Sequence, residues 1–457
     1  LSATDEEDAM DRFRTLLVVG CLIGVLAPVG WICGETVPES DRLTLADCVR
    51  LAIAQNPLRA ASRSAVESAR HGVGEARAPY YPTADFGTGF SRWQRHAFLP
   101  ADLQSYIPVN VIGPTDDWFM SVYAQYVVFD SGARRAGLQA ARALETSATA
   151  DDEQTLRNLI AQVEQAFFQL LGVQAELDAA RKSRDRAGEH LRLAQERKAS
   201  GSVPLLDVLR AEVEVSNADL SIIEVENSRR IVQGNLNSLM GRPVEQQLEP
   251  VPTTDPSRDP VEIRLADAMA QAVARRPEIR SAGARIVAAR AGVTQAKSAY
   301  GPRVTGDGQF GWHDDEFAPS DQEWVLGLSI RLPLFTGFAN EHRLGKAKAE
   351  ASRAEAQAAS QELSVRREVW TAYSILQKAH AAVLTSDIQT RHAGESLRLA
   401  RERYTVGAST ITDLIDAQTA LARAEAAQAR TRWEYQAAHS EFRRVTATTV
   451  IPPDAMP

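Results

Sequence analysis

Two hydrophobic periods divide the chain. From Trp324 to Leu332 the apolar residues Trp324, Leu326, Leu328, Ile330 and Leu332 fall at every second position, with Val325, Gly327, Ser329 and Arg331 between them. Trp118, Met120, Val122, Ala124, Tyr126 and Val128 alternate likewise with Phe119, Ser121, Tyr123, Gln125 and Val127. In 304–312, Val304, Phe310 and Trp312 share a face with two glycines, and 84–93 carries a weaker version. Period two sends successive side chains to opposite faces of a strand. Strands are predicted at about 83–95, 118–129, 303–313 and 324–333. A length of about nine to eleven residues suits a tilted strand crossing a bilayer. Trp93, Trp118, Trp312 and Trp324 stand at the loop-side ends, as an aromatic girdle would require. A soluble half-buried hairpin shows the same alternation, so the pattern alone leaves both readings open.

The second period is helical. Stretches rich in Ala, Arg and Val run near 45–78 and 265–299, where Pro57 and Pro277 each mark a break or a helix start. Residues 133–199 and 338–405 contain no proline, and each would span roughly 100 Å as a helix. Gly201 with Pro204, and Gly407, end these runs. Returning helices are predicted from Leu205 to about Met240 and from Ile411 to about Val445. Leu206, Leu209, Val213, Leu220 and Ile223 trace a narrow stripe, interrupted by Ser216. The second returning helix carries alanine on every face (Ala417, Ala420, Ala422, Ala424, Ala426, Ala427, Ala429), which lets helix axes approach closely. Helices this long depend on lateral packing.

The chain also repeats itself. Leu45-Ala46-Asp47 recurs as Leu265-Ala266-Asp267, Pro57 as Pro277 and Pro82 as Pro302. Further on, 189–197 recurs as 395–403, Gly201 as Gly407, Asp207 as Asp413 and Ala211 as Ala417. The two constant offsets define tandem copies of one unit, at 43–242 and 261–447. A Pro/Asp-rich linker, 243–260, joins them, and 448–457 forms a C-terminal tail. A longer hairpin loop in the first copy (His96–Asp117) than in the second (His313–Glu323) accounts for most of the change of offset. Four strands in one chain cannot close a barrel, and a sheet with open edges cannot sit in lipid. If the strands span a membrane, several copies must pool them, and the long helices would extend the barrel into a tube.

Composition removes other classes. With 51 Lys plus Arg against 59 Asp plus Glu, the net charge of −8 argues against a general nucleic-acid binder. Three cysteines, Cys21, Cys33 and Cys48, exclude a disulfide scaffold or a Cys-rich zinc module. A mean hydropathy of −0.25 excludes a bundle of membrane-spanning helices. One long apolar run, Leu16–Cys33, follows Arg12 and Arg14, so 1–34 reads as a secretory signal region. Val18-Val19-Gly20-Cys21 fits a lipoprotein signal with Cys21 as the lipidated residue, but an h-region of only about six residues from Met10 is short for one. The plainer reading is that Cys21 is an ordinary apolar residue of the signal, and an uncleaved anchor is a third. Each reading sends the remainder out of the cytoplasm.

The residues from 43 to 447 resemble the TolC-like outer membrane efflux family. The likeness is carried by Leu43-Thr44-Leu45-Ala46-Asp47, Pro82 and Pro302 at strand entries, and the strand-to-helix turns Phe129-Asp130-Ser131-Gly132 and Phe335-Thr336-Gly337. Its most specific parts are the helix turns Gly201 to Asp207-Val208-Leu209 and Tyr404-Thr405-Val406-Gly407 to Asp413-Leu414-Ile415-Asp416-Ala417. The fold class implied is mostly α with transmembrane β, two tandem repeats each holding a β-hairpin and a long α-helical hairpin. The resemblance further implies a homotrimer with a twelve-stranded barrel in the outer membrane, continuous with a helical periplasmic tunnel. It implies a periplasmic adaptor and an inner-membrane pump or exporter as partners, in tripartite efflux or type I secretion.

It also implies a periplasmic gate. Asp413 and Asp416, three apart and on one helix face, would ring the tunnel mouth and attract cations. Helix capping is the plainer role for Asp413, three residues after Thr410, and for Asp207, in a first turn after Pro204. By resemblance, Asp207 bonds Tyr404 and helps hold the tip shut. Ser409 stands where the family usually has an arginine. The turns at Gly201 and Gly407 are the expected adaptor-docking tips.

No catalytic constellation supports an enzyme, and no cofactor is expected. Gly306-Asp307-Gly308-Gln309-Phe310-Gly311 fits a dinucleotide motif but lies in a strand with no helix following. His313-Asp314-Asp315-Glu316 is polar as any hairpin tip is. The alternative reading is a periplasmic coiled-coil adaptor or scaffold without a pore.

Overall fold

A computed structural model describes residues 41–96, 111–252 and 263–449. The signal region, Cys21 included, and the tip of the first β-hairpin lie outside the described residues. From Arg42 onward the chain forms one unit. Its elements in order are β1 (Asp41–Leu43), α1 (Leu45–Gln55), α2 (Pro57–Arg77), β2 (Thr83–His96), β3 (Val111–Phe129), α3 (Ala133–Ala199), α4 (Leu205–Leu239) and β4 (Leu248–Pro250). Then follow α5 (Leu265–Arg275), α6 (Pro277–Ser298), β5 (Arg303–Asp314), β6 (Asp321–Arg331), α7 (Ala339–Thr405) and α8 (Ile411–Val445).

Local chemistry sets the helix boundaries. Thr44 and Asp47 form a capping box on α1, with Asp47 N–H donating to Thr44 Oγ1 at 3.3 Å and Thr44 N–H to Asp47 Oδ2 at 3.2 Å. Asn56 ends α1 and caps α2, accepting from Leu58 N–H at 2.8 Å, with Pro57 in the first turn. The 67-residue helices α3 and α7 each rise out of a strand through a left-handed residue, Gly132 (φ +90°) and Phe338 (φ +65°).

Each repeat holds a core of the same design, where a short helix packs across the middle of a long hairpin. In the first, Cys48 and Ala52 of α1 meet Leu156, Ile160, Val163 and Phe167 of α3 and Leu236 of α4. Burial pushes the Cys48 thiol up to about 12, so it packs as an apolar group. In the second, Ala268 and Ala272 of α5 meet Val365, Val369 and Leu376 of α7 and Tyr435 and Phe442 of α8. The repeats are tied across α3 and α8 by Arg186 with Glu425 (2.5 Å), Gln165 with Glu441 (3.0 Å) and Ser440 with Glu164. Part of the linker is structured too, because β4 pairs with β1.

The four long strands form one antiparallel sheet in the order β2-β3-β5-β6. Its register puts Phe86, Val122, Phe310 and Trp324 in one row, and Thr88, Met120, Trp312 and Gln322 in the next toward the loops. Paired residues share a face, so the apolar sets of all four strands coincide. On β6 this face is bare: Trp324 is 68% exposed, Leu326 80%, Leu328 69% and Ile330 70%. From Trp118 to Val128 it runs about 33 Å along β3, or about 25 Å along a barrel axis at a tilt of ~40°, the height of an outer-membrane apolar band. The opposite face carries Asp85, Ser121, Gln125, Thr305, Asp307, Gln309 and Ser329. Among the described residues no helix is long and apolar enough to cross a membrane.

Two expectations change. β3 starts at Val111, not Trp118: Ile112 pairs with Arg95 and Asp116 with Arg92. A bulge between Trp93 and Arg95, with Gly113 at φ +102°, breaks the alternation there and hides the pairing from the pattern. That bulge lies beyond Trp93, which follows Asp85, Gly87, Gly89 and Ser91 onto the polar face. Trp118, Trp312 and Trp324 share the apolar face, and Trp93 does not join their girdle.

Candidate gate at the helical tips

Both helical hairpins end in the same closure. Gly201 N–H donates to Lys198 O (2.9 Å) and Ser202 N–H to Arg197 O (2.8 Å); Gly407 N–H donates to Tyr404 O (3.0 Å) and Ala408 N–H to Arg403 O (2.8 Å). These are Schellman turns. Their left-handed residues, Gly201 at φ +73° and Gly407 at φ +76°, are glycines because a side chain is strained there. Both lie exposed at the ends of their helical hairpins.

Asp413 caps α8. Thr410 N–H and Oγ1 both donate to its Oδ2 at 2.9 Å, and its own N–H donates to Thr410 Oγ1 at 3.2 Å. The Thr410 backbone bond, then the Thr410 hydroxyl, hold its carboxyl below the usual carboxylate range. Asp416, one turn on, is exposed and makes no hydrogen bond or ion pair among the described residues. Capping therefore occupies one oxygen of Asp413 and leaves Asp416 uncommitted.

Asp207 and Tyr404 are brought near each other but not joined. Tyr404 is 1% exposed, and its Oη has no hydrogen-bond partner. Burial raises its phenol, and the charge of Asp207 adds to that, against the opposing pull of Arg197. Arg197, at the end of α3, is what grips Tyr404. Its guanidinium lies over the Tyr404 ring, 4.6 Å from the centroid, and its Nη1 donates to Tyr404 O. Ser409 turns back toward Ala400 O, at 3.5 Å. A cation thus bridges the tips of the two hairpins, from the other repeat and another helix than resemblance implied. Sequence reading missed Arg197 because the repeated Glu-Arg segments balance their charge. Its signal was position: Arg197 and Arg403 each stand four residues before a tip glycine. Arg210 with Thr412 (3.0 Å) adds a second link between the returning helices.

Among the described residues no group of three or more His, Cys, Asp and Glu side chains is placed to hold a metal ion. Charged and aromatic side chains thus meet at the helical tips, at the far end of long helices from a sheet with one apolar and one polar face. Residues 48–242 and 268–448 match the model of the outer membrane efflux protein family, and the chain belongs to that family. It is an outer-membrane efflux channel, with its helices on the periplasmic side. It is 28% identical over 422 residues to protein CyaE of Bordetella pertussis, covering 90% of this chain and 86% of that one. It is 28% identical over 408 residues to the pyoverdine export outer membrane protein OpmQ of Pseudomonas putida, covering 86% and 82%. A solved membrane protein from Pseudomonas aeruginosa superposes with a TM-score of 0.78 at 22% identity, over 88% and 93%. The family is made of channel proteins, which removes the poreless adaptor as a reading.

Proposed function

We propose that three copies of this chain pool their sheets into one twelve-stranded barrel, a passive exit duct for solutes delivered by an inner-membrane transporter through a periplasmic adaptor. The observation that carries this is the sheet: an apolar face about 25 Å tall, with β2 and β6 as unpaired edges that lipid does not tolerate. The helices leave matching seams. Leu206, Leu209, Val213, Leu220 and Ile223 of α4 are 48–62% exposed, and Leu363, Trp370, Leu384 and Ile388 of α7 are 47–68% exposed. A head-to-tail contact that closes after three copies would cover both. The adaptor would dock at the Gly201 and Gly407 turns. Material extracted from outer membranes in detergent is expected to migrate as a trimer and to conduct ions in planar bilayers. A monomer soluble without detergent would overturn the reading.

Within the duct, Asp413 and Asp416 form the cation-attracting mouth, and the grip of Arg197 on Tyr404 holds it narrow. Removing the grip of Arg197 frees the α3 tip from the α7 tip, so Arg197→Ala is expected to raise the open fraction of the conductance several-fold. Tyr404→Phe keeps the ring under the guanidinium and deletes only an Oη with no partner, so its conductance should match the wild type. Single-channel recording of both variants separates the two roles. Opening in Tyr404→Phe with none in Arg197→Ala would return the latch to the Asp207–Tyr404 pair.

A further inference from the structure

We infer that the duct carries a second charge filter, of opposite sign to its mouth, where the barrel meets the helices: a basic belt that binds anionic groups of passing solutes. This rests on the trimeric duct described above. On the polar face, Arg303 of β5 and Arg331 of β6 stand directly opposite each other in the register. Directly opposed residues hold their Cβ atoms about 5 Å apart, and like charges so placed destabilise a sheet. Both arginines are exposed, and neither guanidinium has an ion pair or hydrogen bond among the described residues. The next carboxylate on that face of β5, Asp307, lies about 13 Å further along the strand, beyond a Debye length of about 8 Å at physiological salt.

Arg303 and Arg331 line a concavity of about 1020 Å³ together with Arg343 and Lys346 from the first turns of α7. Of the other charges facing it, Asp130 is neutralised by Arg134 at 3.0 Å, Glu350 lies 3.9 Å from Lys346, and Glu75 remains. The N-terminus of α7 adds its positive dipole end. Val127, Arg303 and Arg331, the lining residues from three strands, all belong to the polar face, which a closed barrel turns inward. With Asp130 and Arg134 cancelling, each chain so offers the lumen four basic side chains, Arg303, Arg331, Arg343 and Lys346, against two carboxylates, Glu350 and Glu75, and the excess is positive. Guanidinium groups recognise phosphate, sulfate and carboxylate by paired hydrogen bonds. A helix of about 100 Å separates this belt from the acidic mouth, so the two filters act independently.

The test is block by tripolyphosphate, added from the barrel side to the full-length channel in planar bilayers. Wild type should be blocked, less so as KCl rises. The Arg303→Gln/Arg331→Gln double variant relieves like-charge repulsion and should fold normally. It should need about fivefold or more probe for half-block, and its zero-current potential in a KCl gradient should move toward cation selectivity. Arg303→Lys/Arg331→Lys keeps the charge and should keep the block. Arg343→Gln/Lys346→Gln on α7 gives a second, independent reading of the same belt. An unblocked wild type, or equal block and selectivity in wild type and the Gln variants, would overturn the belt and leave the duct standing. A protein that conducts nothing would instead overturn the duct.

Discussion

Exchanging Asp413 and Asp416 together for asparagine is expected to weaken block by a trivalent cation, added from the periplasmic side, by about tenfold or more, a difference of ~1.4 kcal/mol. In a threefold assembly six carboxylates surround one opening, and a trivalent ion reads their summed field. Asparagine is chosen because its Oδ1 still accepts from Thr410 N–H and Oγ1, so the start of α8 is preserved. Alanine would also remove the cap, at a typical cost of about 1 kcal/mol, and confuse the two roles. The single variants should differ. Asp416 has no competing partner and should account for more of the loss than Asp413, whose Oδ2 is already occupied by the cap. The capping bonds hold the Asp413 carboxyl below its ordinary range. Its charge therefore persists as pH is lowered through the usual carboxylate range, and part of the block with it. The same shift fixes the sign for stability: the cap's contribution is fully present above the unfolded-state pKa and is lost as pH falls through the depressed folded-state value. Unchanged block in the double variant would show that the ring does not stand at the constriction.

The features legible in the sequence are those written as periods. The strand faces follow from alternation at Trp324–Leu332 and Trp118–Val128, and the long helices from proline-free runs bounded by Gly201 and Gly407. Both are local signals, and the fixed offsets between repeats made each visible twice. The first turn of α8 was legible as well, because Thr410 and Asp413 carry their own cap. What stayed hidden depends on contacts far apart in the chain. Arg197 is a solvated helix residue in its own segment, and only the approach of α7 makes it the neighbour of Tyr404. The facing arginines 303 and 331 are unremarked on either strand and become a feature only in the β5–β6 register. Trp93 reads as a girdle residue from its place at a strand end, but its position in the alternation sets it with Ser91, away from Trp118. Repeats mislead in the same way, because a shared backbone does not enforce shared buried chemistry.

That divergence sets up the second large effect. In the first repeat Arg59 of α2 pairs with Asp152 of α3, 1% and 3% exposed, and Ser62 Oγ donates to Asp152 Oδ1 at 2.6 Å. At the offsets of 220 and 206, the second repeat has Ile279 and Ala358 in these places, with Ile279 packed against the second core. The second repeat buries its charge elsewhere, with Arg276 between Glu278 (2.6 Å) and Glu368 (2.8 Å). The α2–α3 contact therefore holds a satisfied ion pair where the second repeat carries apolar residues. Removing one member of the pair is a different matter, because it strands the other charge away from water. Arg59→Ile is expected to destabilise the fold by about 3–5 kcal/mol, the range for an orphaned buried charge. Adding Asp152→Ala to it rebuilds the second repeat's solution and should bring stability back to within about 1–2 kcal/mol of wild type. Denaturation of the detergent-solubilised protein, followed by helical circular dichroism, would measure both. A double variant no more stable than Arg59→Ile alone would mean that the arginine stabilises the contact through its packed aliphatic stem, and that its charge is secondary.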